Sequence, residues 1–428
     1  MTRPIIALIL AVAVVIWWVA AAPRPEIQIA GSIQIDRTTE QAIRAVDRSA
    51  DFAAGLEQFS STVPPFDDAV FLRDGTTALV TAIDGQIWRL NLANHAGEPL
   101  VNPPLMAYGI HDAPNDPNHI YFCASRSYTE GAAGERVGLY RLSLDTRKVE
   151  PLVLDVPATD LTNEKPVVYA DDDLNAPEAR PGTVSATRPL VVCDNLDISD
   201  DGQRIYFSEP FDYSNASVGD ALDEAIALAP NGRLWRYDLE TGATRLVAEG
   251  FHFINGVLCD LHPGQPREES VLVTQTSVFR LTRFYLRGPK AGRDEIVLDG
   301  IVGLDDGIDR DASGRIWLAL FSNRSGLLTW VHEHAWIKPL LMRVPARLLM
   351  SLPQKTGVLV VSPDGRTPLY SALYDGDALA SVASAVPSPD GVYLANEALG
   401  PERSERTRVV RLKWPAALSA PAAPQDTR

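Results

Sequence analysis

Two oxygen-bearing side chains interrupt apolar runs in the middle of the chain. They are Asn255 in Phe253-Ile254-Asn255-Gly256-Val257 and Asp306 in Leu304-Asp305-Asp306-Gly307-Ile308. Asp194, in Cys193-Asp194-Asn195-Leu196, occupies the same place in an earlier run, just before the residues that open a strand. Carboxylates and Asn amides are the donors that a hard cation such as Ca²⁺ takes, so these three residues form a candidate metal site if the fold brings them together. The competing explanation is that Asp and Asn followed by Gly simply make turns, their commonest local role.

The elements that would position them are short strands. From Val63 to Trp414 the chain repeats alternating or apolar runs closed by Asp-Gly and similar turns, as at Asp74-Gly75 and Asp84-Gly85. Such turns accept the positive φ that hairpins demand. Starts near Pro65, Gly109, Asp194, Asn255, Asp306 and Val358 give a period of about fifty to sixty residues, the size of a four-stranded blade with insertions. The expected fold is therefore all-β, a six-bladed propeller over residues 63–414, whose inner strands line one channel. Two stretches depart from the pattern. Pro157 to Pro189 is polar and Pro-rich and reads as a long excursion. Leu327 to Pro353 is apolar with Lys338, Arg343 and Arg347 interspersed. It is either a helix covering the core, a lid over the channel or a second membrane contact.

Before the repeats, Ile5 to Ala22 is unbroken apolar sequence of 18 residues. At a helical rise of about 1.5 Å per residue it would reach roughly 27 Å, enough for a bilayer core. Residues 1–22 are read as a transmembrane or signal anchor; cleavage at Ala20-Ala21-Ala22 is the alternative, disfavoured by Pro23. Either way the large domain is exported, to a periplasmic or extracytoplasmic location, with 23–62 as a stalk and 415–428 as a disordered tail. The net charge of −16 and pI of 4.9 argue against nucleic acid as a partner. The three cysteines, Cys123, Cys193 and Cys259, lie in or beside apolar runs and read as small buried hydrophobes, with room for one disulfide.

RLWRYDLETG, FHFINGV, RLTRFYLRGPKAG, GLDDGIDRDASGRIWLAL and WIKPLL make the chain resemble the strictosidine synthase-like family, whose animal members carry a membrane-anchored amino terminus. The resemblance implies a propeller of the gluconolactonase and paraoxonase group, with a divalent cation, usually Ca²⁺, held in the channel by Glu, Asn and Asp. Asn255 matches the family's Asn, Asp306 its Asp, and Asp194 stands where an Asn ligand is usual. The Glu of the first blade falls on Phe66, so Asp67 or Asp68 would have to serve; adjacent strand residues point to opposite faces, so at most one of them can, and the expected set takes Asp67. Ser384 takes the place of the catalytic Glu of strictosidine synthase, and Ala378 to Ser388 holds no acid, so condensation of an amine with an aldehyde is not expected. His111 and His252 read as turn or mouth residues.

The resemblance thus implies a Ca²⁺-dependent hydrolase of small esters or lactones, of arylesterase or lactonase type, with Asp306 as ligand and catalytic base. The other candidate is a non-catalytic binding or scaffold propeller, which Phe66 favours.

Overall fold

Hairpins set the period. At Asp74-Gly75 the glycine adopts φ 67°, and the Asp74 carboxylate accepts from the N–H groups of Thr76 and Thr77. An Asp that folds back on the backbone beside a residue free to take positive φ makes the chain reverse, and strands follow on both sides. The computed structural model describes residues 3–20, 27–126, 134–159, 165–213, 220–260, 270–344, 348, 354–397 and 408–418.

The strands assemble into a six-bladed, all-β propeller. The innermost strands of blades one to six are Phe66–Phe71, Met106–Ala113, Leu196–Ile198, Ile254–Asp260, Gly303–Arg310 and Val382–Ser388. Blades one, two, four and five each take four consecutive antiparallel strands. Blade six is closed by Leu56–Ser60, which pairs with Arg408–Leu412 and so ties the start of the propeller to its end. The ring is thereby held shut by a sheet that contains both ends of the propeller, and radial repetition leaves each blade only short edges.

One blade boundary differs from the sequence reading. Thr356–Val361 and Pro368–Tyr374 are the outer strands of blade five, and blade six begins only at Val382. The helical insertion separates Ile316–Asn323 from Thr356–Val361 within a single blade, so the strand after it imitates the start of a new repeat.

The polar excursion is attached to blade three. Val167–Val168 and Glu178–Ala179 pair with its outer strand Thr244–Phe251, and Asp171 is clamped by Arg204, Arg236 and Arg287 at 3.3, 2.6 and 2.7 Å. Cys123 and Cys193, 70 residues apart, form a disulfide joining blades two and three, while Cys259 is free. Their burial as hydrophobes is thus only part of their role.

Among the described residues, six α-helices lie outside the sheets: α1 (Arg3–Ala20), α2 (Arg37–Ala45), α3 (Ser49–Gly55), α4 (Ala221–Ala227), α5 (Gly326–Glu333) and α6 (Lys338–Leu341). The apolar amino terminus is helical as α1, although among the described residues no helix is long and apolar enough to cross a membrane. α5 is started by Ser325, whose hydroxyl accepts from the Leu328 N–H. Val331, Met342 and Ile226 from α4 to α6 pack with Ile27, Val192, Phe211 and Phe253 into one apolar cap at one end of the channel. Lys338 is fully buried in this cap, its ammonium 3.2 Å from the Ala30 carbonyl and 3.3 Å from that of Ala227. Residues 21–22, most of the end of the 327–353 insertion and the tail beyond residue 418 lie outside the described residues.

Candidate functional site

Five of the six inner strands enter the hub through an irregularity; that of blade three pairs in regular register. Register is lost between Phe66 and Ala69, Ala107 and Ile110, Ile254 and Val257, Asp305 and Ile308, and Val382 and Ser384. A bulge adds residues to one strand, bends it and re-aims the side chains there. Asp67, Asn255 and Asp306 all fall in these bulged segments. Asn255 and Asp306 are therefore strand residues, which sets aside the competing explanation that they simply make turns.

The glycine after each has a different purpose from turning the chain. A Cβ on Gly256 would lie 2.5 Å from the Asp306 carbonyl oxygen, and one on Gly307 would lie 2.5 Å from Ser384 Oγ and 2.7 Å from the Ala383 oxygen. Gly109 meets the backbone of Asn195 in the same way, at 2.8 Å. In blades two, four and five the bulge thus ends in a residue small enough to let the next inner strand approach. Hydroxyls on the second strands accept the freed N–H groups: Thr81 from Asp68, Ser208 from Asn195 and Thr274 from Gly256, at 3.0, 3.0 and 2.7 Å. These partners keep the bulge amides satisfied inside the core.

The side chains form two charged layers. The layer beneath the cap holds Asp67, Asp194, Asn255 and Asp306, and to these the structure adds Glu397, which follows the second strand of blade six. Burial, then Glu397, Asp306 and Asp194 push the Asp67 carboxyl well up. Burial pushes Asp194 up to about 7. Asp306 is raised by burial and by Asp194 and Glu397, with the Asn255 amide opposing the shift. Glu397 is raised by burial and by Asp194. Among the described residues, no cationic side chain is among the main groups acting on these four carboxyls. Buried like charges cannot all ionise together, so this layer holds protons or a cation.

The second layer is organised around His111, whose ring Nδ1 lies 3.8 Å from Asp197. Asp68 and Asp309 face the same ring, and each carboxylate is also anchored to backbone: Asp68 accepts from Ile110, Asp197 from Cys259 and Asp309 from Arg310. Burial opposes charge on His111, yet Asp197, Asp68 and Asp309 outweigh it and raise the imidazole above its ordinary range. Here a cation is built in. Asp67 and Asp68, adjacent in sequence, serve different layers, and Asn195 turns away to accept the Val257 N–H at 3.1 Å.

Other expected positions resolve differently. Phe66 is buried in the core of blade one, 2% exposed, and offers no donor. Ser384 lies on the channel strand of blade six. His252 is bound to the cap, its Nδ1 2.9 Å from the Leu228 carbonyl, and burial pushes it down to about 4. It is neutral and plays no part in the acidic layer.

As a donor set, four carboxylates and an amide suit a hard divalent cation. Among the described residues, however, no three His, Cys, Asp or Glu side chains converge closely enough to enclose an ion.

Comparison with known proteins supports the assignment of fold and kin. A family model described as strictosidine synthase matches residues 194–289, the segment carrying Asp194 and Asn255. Adipocyte plasma membrane-associated protein from Salmo salar is 28% identical over 190 residues, covering 43% of this chain and 44% of that protein. The protein strictosidine synthase-like 13 of Arabidopsis thaliana is 30% identical over 159 residues, 37% of each chain. The chain resembles the strictosidine synthase-like proteins. The match to these relatives spans less than half of their length. A gluconolactonase from Xanthomonas campestris shares the fold, with a TM-score of 0.52 and 13% identity over 92% of this chain and 99% of that one. Within strictosidine synthase-like sequence, Glu397 carried no signal, because a residue closing the second strand is not expected to reach the channel. His111, read from the sequence as a turn residue, instead lies on the inner strand of blade two.

Proposed function

We propose that this chain is a membrane-anchored, exported propeller that hydrolyses small esters or lactones at the capped end of its channel, where Asp67, Asp194, Asn255, Asp306 and Glu397 would have to draw closer together to hold a divalent cation, Ca²⁺ by donor chemistry. The observation that carries the proposal is the layer of four carboxyls, Glu397 buried and Asp67, Asp194 and Asp306 half-buried, for which the described residues show no cationic partner. An ion held there would supply Lewis-acid polarisation of a substrate carbonyl and charge stabilisation of a developing oxyanion. Asp306, oriented by the Asn255 amide and raised in proton affinity by its neighbours, is the group that takes and returns a proton at its carboxylate. Phe253 and Phe211, whose rings meet at 5.5 Å, line the capped end and limit water there. Export is supported by the Cys123–Cys193 disulfide, since such bonds persist in oxidising compartments. Relatives named for the plasma membrane support anchoring through α1.

Metal analysis of the purified protein tests this, followed by ester and lactone turnover with and without chelator. Asp306→Ala should abolish chelator-sensitive turnover while leaving the fold intact; unchanged turnover removes Asp306 from the mechanism. The second reading is a non-catalytic binding propeller, favoured by Phe66 in place of a donor and by the absence of a converged ion cage among the described residues. A protein free of metal and without turnover across the panel would establish that reading instead.

A further inference from the structure

The outer face of the helical cap carries large apolar side chains. Leu327, Trp330 and Trp336 are 48%, 41% and 66% exposed. Trp330 stacks on His334 at 4.7 Å and meets Trp336 edge-on at 6.1 Å, so the two indoles form one contiguous surface. The opposite face of the same helices is conventional. Val331, Ile337, Leu341 and Met342 pack inward on Phe253 and Val192 at the channel end. A helix pair that is apolar on both faces has two apolar partners, and the core accounts for only one.

The second partner is indicated by α1. Its described side chains, among them Leu8, Leu10, Val14 and Trp17, are 60–69% exposed, and α1 touches α6 of the cap. The apolar surfaces of α1 and the cap therefore adjoin. Indole rings are favoured at the boundary between hydrocarbon and water, where one edge is apolar and the N–H remains wet. Elsewhere, exposed Leu174, Val184 and Ile296 stand outside the cap, and scattered apolar residues of that kind are ordinary.

We infer that Leu327, Trp330 and Trp336 dock the cap on the lipid bilayer that α1 enters, holding the acidic end of the channel against the membrane. Leu327, Trp330 and Trp336 carry no charge, so the contact they make is apolar and does not depend on anionic lipid. The inference rests on the anchoring role given to α1 and on nothing in the proposed chemistry. If that chemistry holds, substrates partitioned in the bilayer are favoured over freely aqueous ones.

The test uses the full chain with Cys259→Ser, leaving the Cys123–Cys193 disulfide, reconstituted in phosphatidylcholine vesicles. Single cysteines are introduced by Trp336→Cys, Val14→Cys or Ser313→Cys and labelled with an environment-sensitive fluorophore. Ser313 is exposed on the hairpin between Asp311 and Gly314, beyond the opposite end of the blade-five inner strand. The expected result is blue-shifted emission and loss of intensity with doxyl lipids at positions 14 and 336, and quenching by aqueous iodide alone at 313. Iodide quenching at 336 like that at 313, with position 14 in lipid, overturns the cap contact and leaves the anchor standing. Protection at 336 from both quenchers reveals a protein contact and overturns it as well. If neither 14 nor 336 meets lipid, cap docking and anchor fail together. None of these readouts depends on turnover or metal, so the hydrolase proposal is judged separately.

Discussion

Gly307→Ala is the sharpest probe of how the hub is built. The added Cβ would sit 2.5 Å from Ser384 Oγ and 2.7 Å from the Ala383 carbonyl oxygen, where blade five meets blade six. The serine hydroxyl can rotate away; the carbonyl belongs to a strand paired with Gly391–Asn396 and cannot. One extra methyl in a packed core costs about 1–3 kcal/mol when the surroundings must shift. With a backbone atom as the obstacle, the upper part of that range is expected, about 2–3 kcal/mol. Urea unfolding with an unchanged slope and a lowered midpoint would report it. Gly307→Ala combined with Ser384→Ala should recover only part of the loss, because the Ala383 oxygen remains. Gly326→Ala is the matched control: nothing lies within 4 Å of its added Cβ, and alanine is the better helix former at the start of α5. If Gly307→Ala shifts stability no more than Gly326→Ala does, close approach of the inner strands is not why glycine stands there.

Glu397→Gln keeps the side chain's size while removing one of four mutually repelling carboxyls. It should stabilise the cation-free protein and weaken Ca²⁺ binding in calorimetry; unchanged affinity would exclude Glu397 from the donor set. Cys193→Ser should cost about 4 kcal/mol, the chain-entropy value for a loop of 70 residues, and should remove the sensitivity of the melting temperature to reductant. His111 has a raised folded pKa, so its contribution is complete below its unfolded value of 6.5 and is lost as pH rises through the higher folded value. Asp309, raised from 3.8 to about 7, shifts stability in the same direction, fully favourable below 3.8 and lost as pH rises through about 7. Thermal melts should therefore decline from mildly acidic to alkaline pH, and His111→Gln should flatten the part above neutrality; a melting temperature that rises with pH would contradict this.

The blades were legible because hairpin chemistry is local. Asp74-Gly75 announces its turn through a side chain and a φ that act within four residues. Asn255-Gly256 and Asp306-Gly307 use the same dipeptide types for something the sequence cannot display, since the atoms that demand glycine belong to the neighbouring blade. The misplaced start of blade six has a related cause: an insertion inside blade five cuts one sheet into two sequence-distant halves. Of the acidic layer, Asp194, Asn255 and Asp306 could be found by their equivalent places in the repeats. Glu397 could not, because it reaches the channel from a second strand.

The two layers of the hub answer one electrostatic problem in two ways. A propeller draws its inner strands toward one axis, so acidic residues at equivalent points in different blades meet where water is scarce and their repulsion is strong. In the lower layer the chain supplies the compensating charge itself, through His111 among Asp68, Asp197 and Asp309. In the upper layer none of the described side chains does so, although the cost of leaving it uncompensated is the same in kind. Asp67 and Asp68 make the contrast within one dipeptide, one carboxyl given to the layer that contains its cation and the other to the layer that lacks one. A scaffold needing only stability would be better served by apolar residues in the upper layer, as buried charge is seldom the cheaper way to hold a core together. The retained acids therefore favour a layer that binds something positive over one that merely packs.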